Sequence, residues 1–212
     1  MAHPIRPSSF IEINNFYTLT VYEKGAEVIR MLHTLLGAKQ WRKGMDEYVA
    51  RHDGAATTCD AFLAAMQSVT DLDLTQFKLW YSTAGTPTLA VTESYDAKNS
   101  CYSLTVRQSC ADTPGQTAKE PLHIPLVLGL LDSAGNEVAI EGRSSEHGVI
   151  LDVKDREQTF HFQNITQPPI ASLLRGFSAP VKLEHDVSDE TLSFLIAHDS
   201  DSFNRWEAGQ RL

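Results

Sequence analysis

The hydrophobic spacing of this chain changes abruptly at the stretch STAGTPTL, residues 82–89. Before it, apolar residues recur every three or four positions, which is the spacing of helices that bury one side. After it, apolar and polar residues alternate, as they do in strands that bury one face. Gly85 and Pro87 interrupt both patterns at the point of change. The sequence therefore predicts a helical part followed by a separate β part.

Four helices with short connections are predicted before the change. EVIRMLHTLLG ends the first helix at Gly37, and QWRKGMDEYVARHDG ends the second at Gly54. TTCDAFLAAMQSV begins with Thr57 and Asp60 at the spacing of a capping box. DLTQFKLWYSTAG has Asp73 in position to cap the fourth helix. Short connections predict neighbouring helices that pack antiparallel or at steep angles.

About seven short strands are predicted after Pro87. TLAVTESY and CYSLTVRQS flank the turn DAKN, and HIPLVLGLLD and EVAIEG flank SAGN, so each pair predicts a hairpin. GVILDVKD, QTFHFQNI and SAPVKLEHD supply further strands. Short strands joined by polar turns favour an antiparallel β-sandwich.

Helical spacing returns after Asp186, in SDETLSFLIAHDSDSFNRWEAGQRL. Leu192, Leu195, Ile196 and Phe203 form an apolar stripe that two helices cannot bury between themselves. We therefore expect this tail to be the truncated start of a larger helical domain. The predicted fold class is an α+β multidomain fragment.

Charge and cysteine content limit the function classes. The formal net charge is −9, which argues against nucleic acid and against anionic membranes as partners. The apolar runs are too short to span a bilayer. Three cysteines, Cys59, Cys101 and Cys110, are too few for a disulfide framework and are expected to be reduced intracellular thiols.

No self-contained catalytic motif is visible in the 212 residues. The eight histidines include no pair spaced three to five apart, so no local metal-ligand pair exists. No G-x-S-x-G segment and no glycine-rich phosphate loop is present. The segment NNFYTLTVYEKGAEVIRML, residues 14–32, carries two tyrosines. By its residues alone, it fits half-buried aromatic side chains on a strand that leads into a helix.

The whole chain, in order, resembles an internal segment of the M1 family of zinc metallopeptidases, the gluzincin aminopeptidases. The resemblance is carried by NNFYTLTVYEKGAEVIRML, GMDEYVARHDGAATTCDAFLAAM, FKLWYSTAGTPTL, EPLHIPLVLGLLD, FSAPVKLEHDVSD and DSFNRWEAGQRL. It implies three domains: residues 1–86 as the helical end of a thermolysin-like catalytic domain, 87–186 as a β-sandwich linker domain, and 187–212 as the start of a C-terminal helical domain.

The resemblance also implies roles for four residues. Tyr22 matches the family's catalytic tyrosine, whose phenol donates a hydrogen bond to the oxyanion of the tetrahedral intermediate. Asn14, Tyr17 and Glu23 match positions that line the substrate pocket. The family's H-E-x-x-H helix, its second zinc-binding glutamate and its G-x-M-E-N segment are absent from this sequence. We therefore expect Zn²⁺ in the intact parent enzyme and no metal in this chain.

The resemblance implies a cytoplasmic bacterial parent that releases N-terminal amino acids, alanine among them, from peptides. We expect that parent to be monomeric and this chain alone to be inactive, with truncated faces that favour self-association. The alternative is a free-standing β-sandwich interaction module with a helical cap and no enzymatic activity.

Overall fold

The structure, a computed structural model, describes residues 3–212. The chain divides into two compact units, Met1–Ala84 and Gly85–Leu212. The division falls inside STAGTPTL, where the hydrophobic spacing changes from helical to alternating. The predicted order of a helical part, a β part and a helical end is confirmed.

The first unit begins with a 3₁₀ turn, Ile13–Phe16, and a π-helical turn, Thr20–Lys24. The π-helical turn continues directly into α1, Gly25–His52. Gly37 interrupts α1 with φ 71° and ψ 159°, a conformation that glycine adopts without steric cost. The first two predicted helices are therefore the two arms of one broken helix.

Two shorter helices, α2 (Cys59–Gln67) and α3 (Leu79–Ser82), complete the first unit. The predicted caps of both are wrong. Thr58, not Thr57, caps α2, because its extended backbone lets Oγ1 accept from the Ala61 N–H at 3.2 Å. Asp73 accepts from the Thr75 N–H at 2.9 Å in a turn, and α3 begins only six residues later. The core of this unit includes Val28, Met31, Leu32, Leu35, Met66, Phe77 and Trp80.

The second unit contains two four-stranded sheets. In chain order the strands are β1 Thr88–Asp96, β2 Cys101–Ser109, β3 Ile124–Leu131, β4 Arg143–Ser144, β5 Val149–Val153, β6 Glu157–Phe162, β7 Ile170–Leu173 and β8 Lys182–His185. The sheet orders are β6-β2-β1-β8 and β4-β5-β3-β7. All eight residues of β3 are buried, which makes it the central strand of the core.

The predicted hairpin β1–β2 is confirmed, with pairs from Thr88↔Ser109 to Asp96↔Cys101. The second predicted hairpin is incomplete, because EVAIEG contributes only the isolated bridge Leu131↔Glu137. The strands β4 and β7 were not predicted. One pairing also departs from the antiparallel expectation, since β8 runs parallel to β1. Local patterning cannot predict that pairing, because the two strands lie at opposite ends of the sandwich sequence.

Two helices, α4 (Asp189–His198) and α5 (Ser202–Arg211), close the second unit. Leu192 and Leu195 of α4 are buried in one cluster with Leu131 of β3, and Ile170 of β7 packs against that cluster. The expectation that this tail lacks a partner for its apolar stripe is wrong. The end of the second sheet supplies the partner.

No helix within residues 3–212 has both the length and the apolarity needed to cross a bilayer. Within residues 3–212, Cys59, Cys101 and Cys110 form no disulfide bond.

Candidate functional site

The π-helical turn Thr20–Lys24 buries its two ends and exposes its middle. Thr20 and Lys24 are each 3 % exposed, whereas the Tyr22 side chain is 58 % exposed and Glu23 faces solvent. Tyr17, just before the turn, is 67 % exposed. The interpretation of both tyrosines as half-buried aromatic residues on a strand is wrong, because both side chains are exposed and neither residue lies on a strand. Single π-helical turns are frequent at functional sites.

The two tyrosines lie together on this surface. Their ring centroids are 6.0 Å apart and the rings are inclined by 23°, a stacked arrangement. The hydroxyl of Tyr22 makes no hydrogen bond to any of residues 3–212. Tyr22 therefore presents a free O–H donor on a ring that Tyr17 supports.

The other two candidate residues are also exposed. Asn14 lies in the 3₁₀ turn Ile13–Phe16, and its main-chain carbonyl accepts from the Tyr17 N–H at 3.1 Å. Glu23 follows Tyr22 in the π-helical turn. The structure thus brings Tyr17 and Tyr22 together, and it shows no side-chain contact of Asn14 or Glu23 with Tyr22 among the described residues.

Both ends of the π-helical turn are held by polar contacts. Thr18 Oγ1 accepts from the Val21 N–H at 3.2 Å and contacts His3 Nε2 at 3.2 Å. At the other end, Lys24 Nζ donates to the carbonyl oxygen of Thr83 at 3.1 Å and lies 5.6 Å from the centroid of the Trp80 ring. The turn is therefore tied to the chain on either side of Tyr22.

Sequence reasoning missed Lys24, although one signal was present. Lys24 lies four residues before Val28 and continues the buried stripe of α1. A cation on an apolar helical stripe indicates either an exposed helix end or a buried, paired ammonium. The structure shows that the ammonium group of Lys24 is buried and paired.

The segment that carries the two tyrosines also carries several exposed apolar side chains. The exposed fractions are between 55 % and 98 % for Phe10, Ile11, Ile13 and Leu19. A cavity of about 420 Å³ lies beside them, lined by His3, Pro7, Ser9, Phe10, Ile11 and Asn15. A concentration of apolar surface on one short segment is typical of a binding or packing surface.

The described residues do not fit a zinc centre. In residues 3–212, no three His, Cys, Asp or Glu side chains converge closely enough to hold a metal ion. The surface around Tyr22 can therefore donate a hydrogen bond and contact a ligand, and no such group of metal-binding side chains lies within residues 3–212.

Three family models match consecutive parts of the chain. The Peptidase family M1 domain matches residues 1–81, and a domain of unknown function with an Ig-like fold (DUF3458) matches residues 85–186. A related domain of unknown function described as ARM repeats (DUF3458_C) matches residues 189–212.

Curated relatives and a solved structure match the whole chain. Aminopeptidase N of Escherichia coli (strain K12) is 50 % identical over 212 residues, which are 100 % of this chain and 24 % of the relative. Aminopeptidase N of Haemophilus influenzae is 49 % identical, with the same coverage of both proteins. The crystal structure of Legionella pneumophila aminopeptidase A in complex with aspartic acid aligns with 99 % of this chain and 23 % of its own, with a TM-score of 0.87 at 30 % identity.

The chain thus spans about a quarter of the length of these relatives, and its match to them is continuous from the helical unit through the sandwich to the final helices. The order of the three family models is the order of the observed elements. Over its whole length the chain is similar to a segment of bacterial aminopeptidase N, and its residues 1–81 match the domain of peptidase family M1.

Proposed function

We propose that this chain is the part of a zinc-dependent aminopeptidase that supplies the catalytic tyrosine, in an enzyme that releases N-terminal amino acids, alanine among them, from peptides. The match to the M1 domain and to aminopeptidase N supports the reaction class. The observation that carries the proposal is the exposed Tyr22 hydroxyl, without a hydrogen-bond partner within residues 3–212, on a turn whose two ends are buried.

Tyr22 acts as an oxyanion donor. When water adds to a peptide carbonyl, the carbonyl oxygen gains negative charge, and a fixed neutral donor stabilises that charge more than it stabilises the substrate. A phenol donates a hydrogen bond and keeps its proton at neutral pH. Because the buried ends of the turn hold Tyr22 before substrate arrives, little reorganisation is needed during the reaction.

Tyr17, Glu23 and Asn14 line the substrate pocket in this proposal. The ring of Tyr17 stacks on Tyr22 and offers an apolar wall to a substrate side chain. The Glu23 carboxylate suits the protonated α-amine of a peptide. Asn14 offers amide hydrogen-bonding groups nearby. In this proposal Zn²⁺ belongs to the whole enzyme and its ligands come from other parts of that enzyme, since residues 3–212 contain no group of three side chains placed to hold a metal ion.

The domain limits of the proposal are 1–86 for the end of the catalytic domain, 87–186 for the β-sandwich linker and 187–212 for the start of the helical domain. The limits of the family models support this division, and the boundary between the two compact units supports its first limit. The sandwich holds the catalytic and helical domains together. In this proposal the whole enzyme is a monomer in the bacterial cytoplasm and takes part in peptide catabolism.

The first experiment measures zinc content and alanyl anilide hydrolysis for residues 1–212 alone and for the whole protein that contains them. We expect neither zinc nor turnover from residues 1–212, which self-associate through the apolar surface around Tyr22. Stoichiometric zinc with turnover in the 212 residues would overturn the proposal. A coding frame without an upstream H-E-x-x-H would favour the free-standing sandwich module instead.

The second experiment replaces Tyr22 by Phe in the whole protein. We expect kcat to fall on the order of a hundredfold or more, because one oxyanion donor is removed. Tyr48→Phe removes a hydroxyl from α1 outside the proposed site and serves as the matched control. Equal kcat values for the two variants would contradict the role of Tyr22.

A further inference from the structure

The side chain of Lys24 is buried in the first unit. Lysine is rarely buried, because removal of an ammonium group from water is unfavourable unless partners compensate. Here the Thr83 carbonyl accepts from Nζ at 3.1 Å, and the Trp80 ring lies within cation–π distance at 5.6 Å. Lys24 therefore makes a specific connection between the π-helical turn and the segment around α3.

This connection lies very close to the proposed catalytic group. Lys24 is the last residue of the turn Thr20–Lys24, and Tyr22 is its middle residue. A π-helical turn contains one residue more than the α-helical turn that replaces it. Conversion to α-helix would rotate the residues before the turn by about 100° around the helix axis, the angle of one residue. The direction of the Tyr22 ring, in the middle of the turn, therefore depends on whether the turn keeps its π-helical form.

We propose that Lys24 is a positioning residue for Tyr22, and that the contacts of its ammonium group with Thr83 and Trp80 keep the π-helical turn in the form that aims the phenol at the substrate carbonyl. This inference rests on the proposed function of Tyr22. Thr18 fixes the opposite end of the turn, since its Oγ1 accepts from the Val21 N–H.

The test begins with Lys24→Met in the whole protein, because Met keeps the length of the side chain and removes its charge. A misplaced catalytic group costs between about tenfold and a hundredfold in rate, so we expect kcat to fall by that factor. We expect KM to change by no more than about twofold, since ground-state binding does not use the phenol. Lys39→Met makes the same change at an exposed position of α1 and should leave kcat and KM unchanged.

A double-mutant cycle with Tyr22→Phe separates positioning from general destabilisation. If Lys24 acts through Tyr22, Lys24→Met should lower kcat by less than about twofold in the Tyr22→Phe background. The same loss in both backgrounds would overturn the positioning role and leave the role of Tyr22 intact. A Tyr22→Phe variant with normal kcat would overturn the proposed function itself, and the inference with it.

Thr18→Val provides a second variant, which leaves the buried Lys24 and its contacts in place. It removes the hydroxyl that fixes the start of the turn and keeps a side chain of similar shape. If Lys24→Met does not fold, the same cycle with Thr18→Val applies. A loss of kcat that vanishes in the Tyr22→Phe background supports a turn held for Tyr22, and an undiminished loss contradicts it.

Discussion

Asp152 lies between two basic side chains of the second unit. Its Oδ1 contacts Nε2 of the fully buried His123 at 2.6 Å, and its two oxygens accept from Arg143 Nη2 at 2.6 and 2.7 Å. Burial alone would raise the pKa of Asp152. The hydrogen bond from His123 and the charge of Arg143 outweigh that effect, so the pKa lies below its usual value. The folded state therefore favours the ionised carboxylate.

The pH dependence follows from the direction of this shift. A carboxyl group whose pKa is lower in the folded state stabilises the fold above its unfolded pKa of about 3.9. That contribution is lost as the pH falls through the folded pKa. We predict that Asp152→Asn lowers the free energy of unfolding at pH 7 by roughly 1–3 kcal/mol, and that the difference from wild type shrinks below about pH 4.

Urea unfolding between neutral and acidic pH measures this difference. Asp46→Asn is the matched control, because Asp46 pairs with Arg42 on an exposed helix surface and its side chain is 59 % exposed. A difference between wild type and Asp152→Asn that stays constant down to acidic pH would exclude the proposed linkage.

Single residues were predictable to different degrees. Tyr22 was identified by the resemblance of VYEKG to a family segment, whereas spacing alone gave no reason to choose it. The role of Lys24 could not be predicted, because its acceptor is the main-chain carbonyl of Thr83, and a main-chain acceptor leaves no side-chain signal. The π-helical turn was equally invisible, since Thr20–Lys24 fits an ordinary helix start.

The start of α2 offers a direct comparison of two adjacent threonines. Thr58 has φ −129° and ψ 164°, and its hydroxyl accepts from the Ala61 N–H. Thr57 has the capping-box spacing to Asp60 but lies one residue before the N-cap. We predict that Thr58→Ala lowers the free energy of unfolding by about 1 kcal/mol, because a helix N–H loses its acceptor.

Thr57→Ala is the control for this prediction. It should change the free energy of unfolding by less than about 0.5 kcal/mol, as expected for a surface residue without a cap contact. Thermal or urea unfolding of both variants gives the comparison. An equal effect of the two substitutions would show that the cap is shared or absent.

Elements with strong periodicity were predicted and elements without it were missed. The stripe of α1 and the alternation of β1 and β2 each extend over nine residues or more, and both were located correctly. The strand β4 has two residues, too few to show a period, and β7 buries three residues in a row and so shows no alternation. The segment EVAIEG forms only an isolated bridge and no full strand. Whether such a segment pairs depends on its neighbours in space, so local propensity could not reveal this outcome.

The second unit is held together by a buried ionic cluster as well as by its apolar core. Arg175 is 3 % exposed and donates to Asp199 Oδ1 at 2.9 Å and to Ser172 Oγ at 2.8 Å, and its Nη1 pairs with Glu137 at 2.8 Å. A Cβ atom added to Gly129 would lie 2.0 Å from Arg175 Cζ, so a residue with a side chain at position 129 would clash with the guanidinium group. The cluster joins β3, β7 and the residue that follows α4.

Loss of one charge from this cluster should destabilise the sandwich and the final helices together. We predict that Asp199→Asn lowers the free energy of unfolding by roughly 3 kcal/mol or more, because Arg175 stays buried with less compensation. Amide hydrogen exchange should show faster opening of α4 and α5 as well. The control Asp46→Asn breaks an exposed ion pair and should lower the free energy of unfolding by no more than about 1 kcal/mol. Similar effects of the two variants would contradict this role of the cluster.

This arrangement explains why the tail was misjudged from the sequence. The apolar stripe of α4 was located correctly, but its partners Leu131 and Ile170 lie on strands much earlier in the chain. Asp199 and Arg175 read as ordinary surface charges in the sequence, because charged residues are rarely fully buried. Long-range pairing of this kind leaves no local pattern.

The parallel pair β1–β8 has a mechanical consequence. The chain enters the sandwich at Thr88 and leaves it at His185, on adjacent strands that run in the same direction, with rungs from Thr88↔Lys182 to Val91↔His185. A force that pulls the two flanking chain segments apart would act along these strands. It would load all of the paired residues of β1 and β8 at the same time, in shear. An antiparallel hairpin pulled at its open end would instead separate one rung at a time. The sandwich is thus built to transmit tension between its two ends without opening.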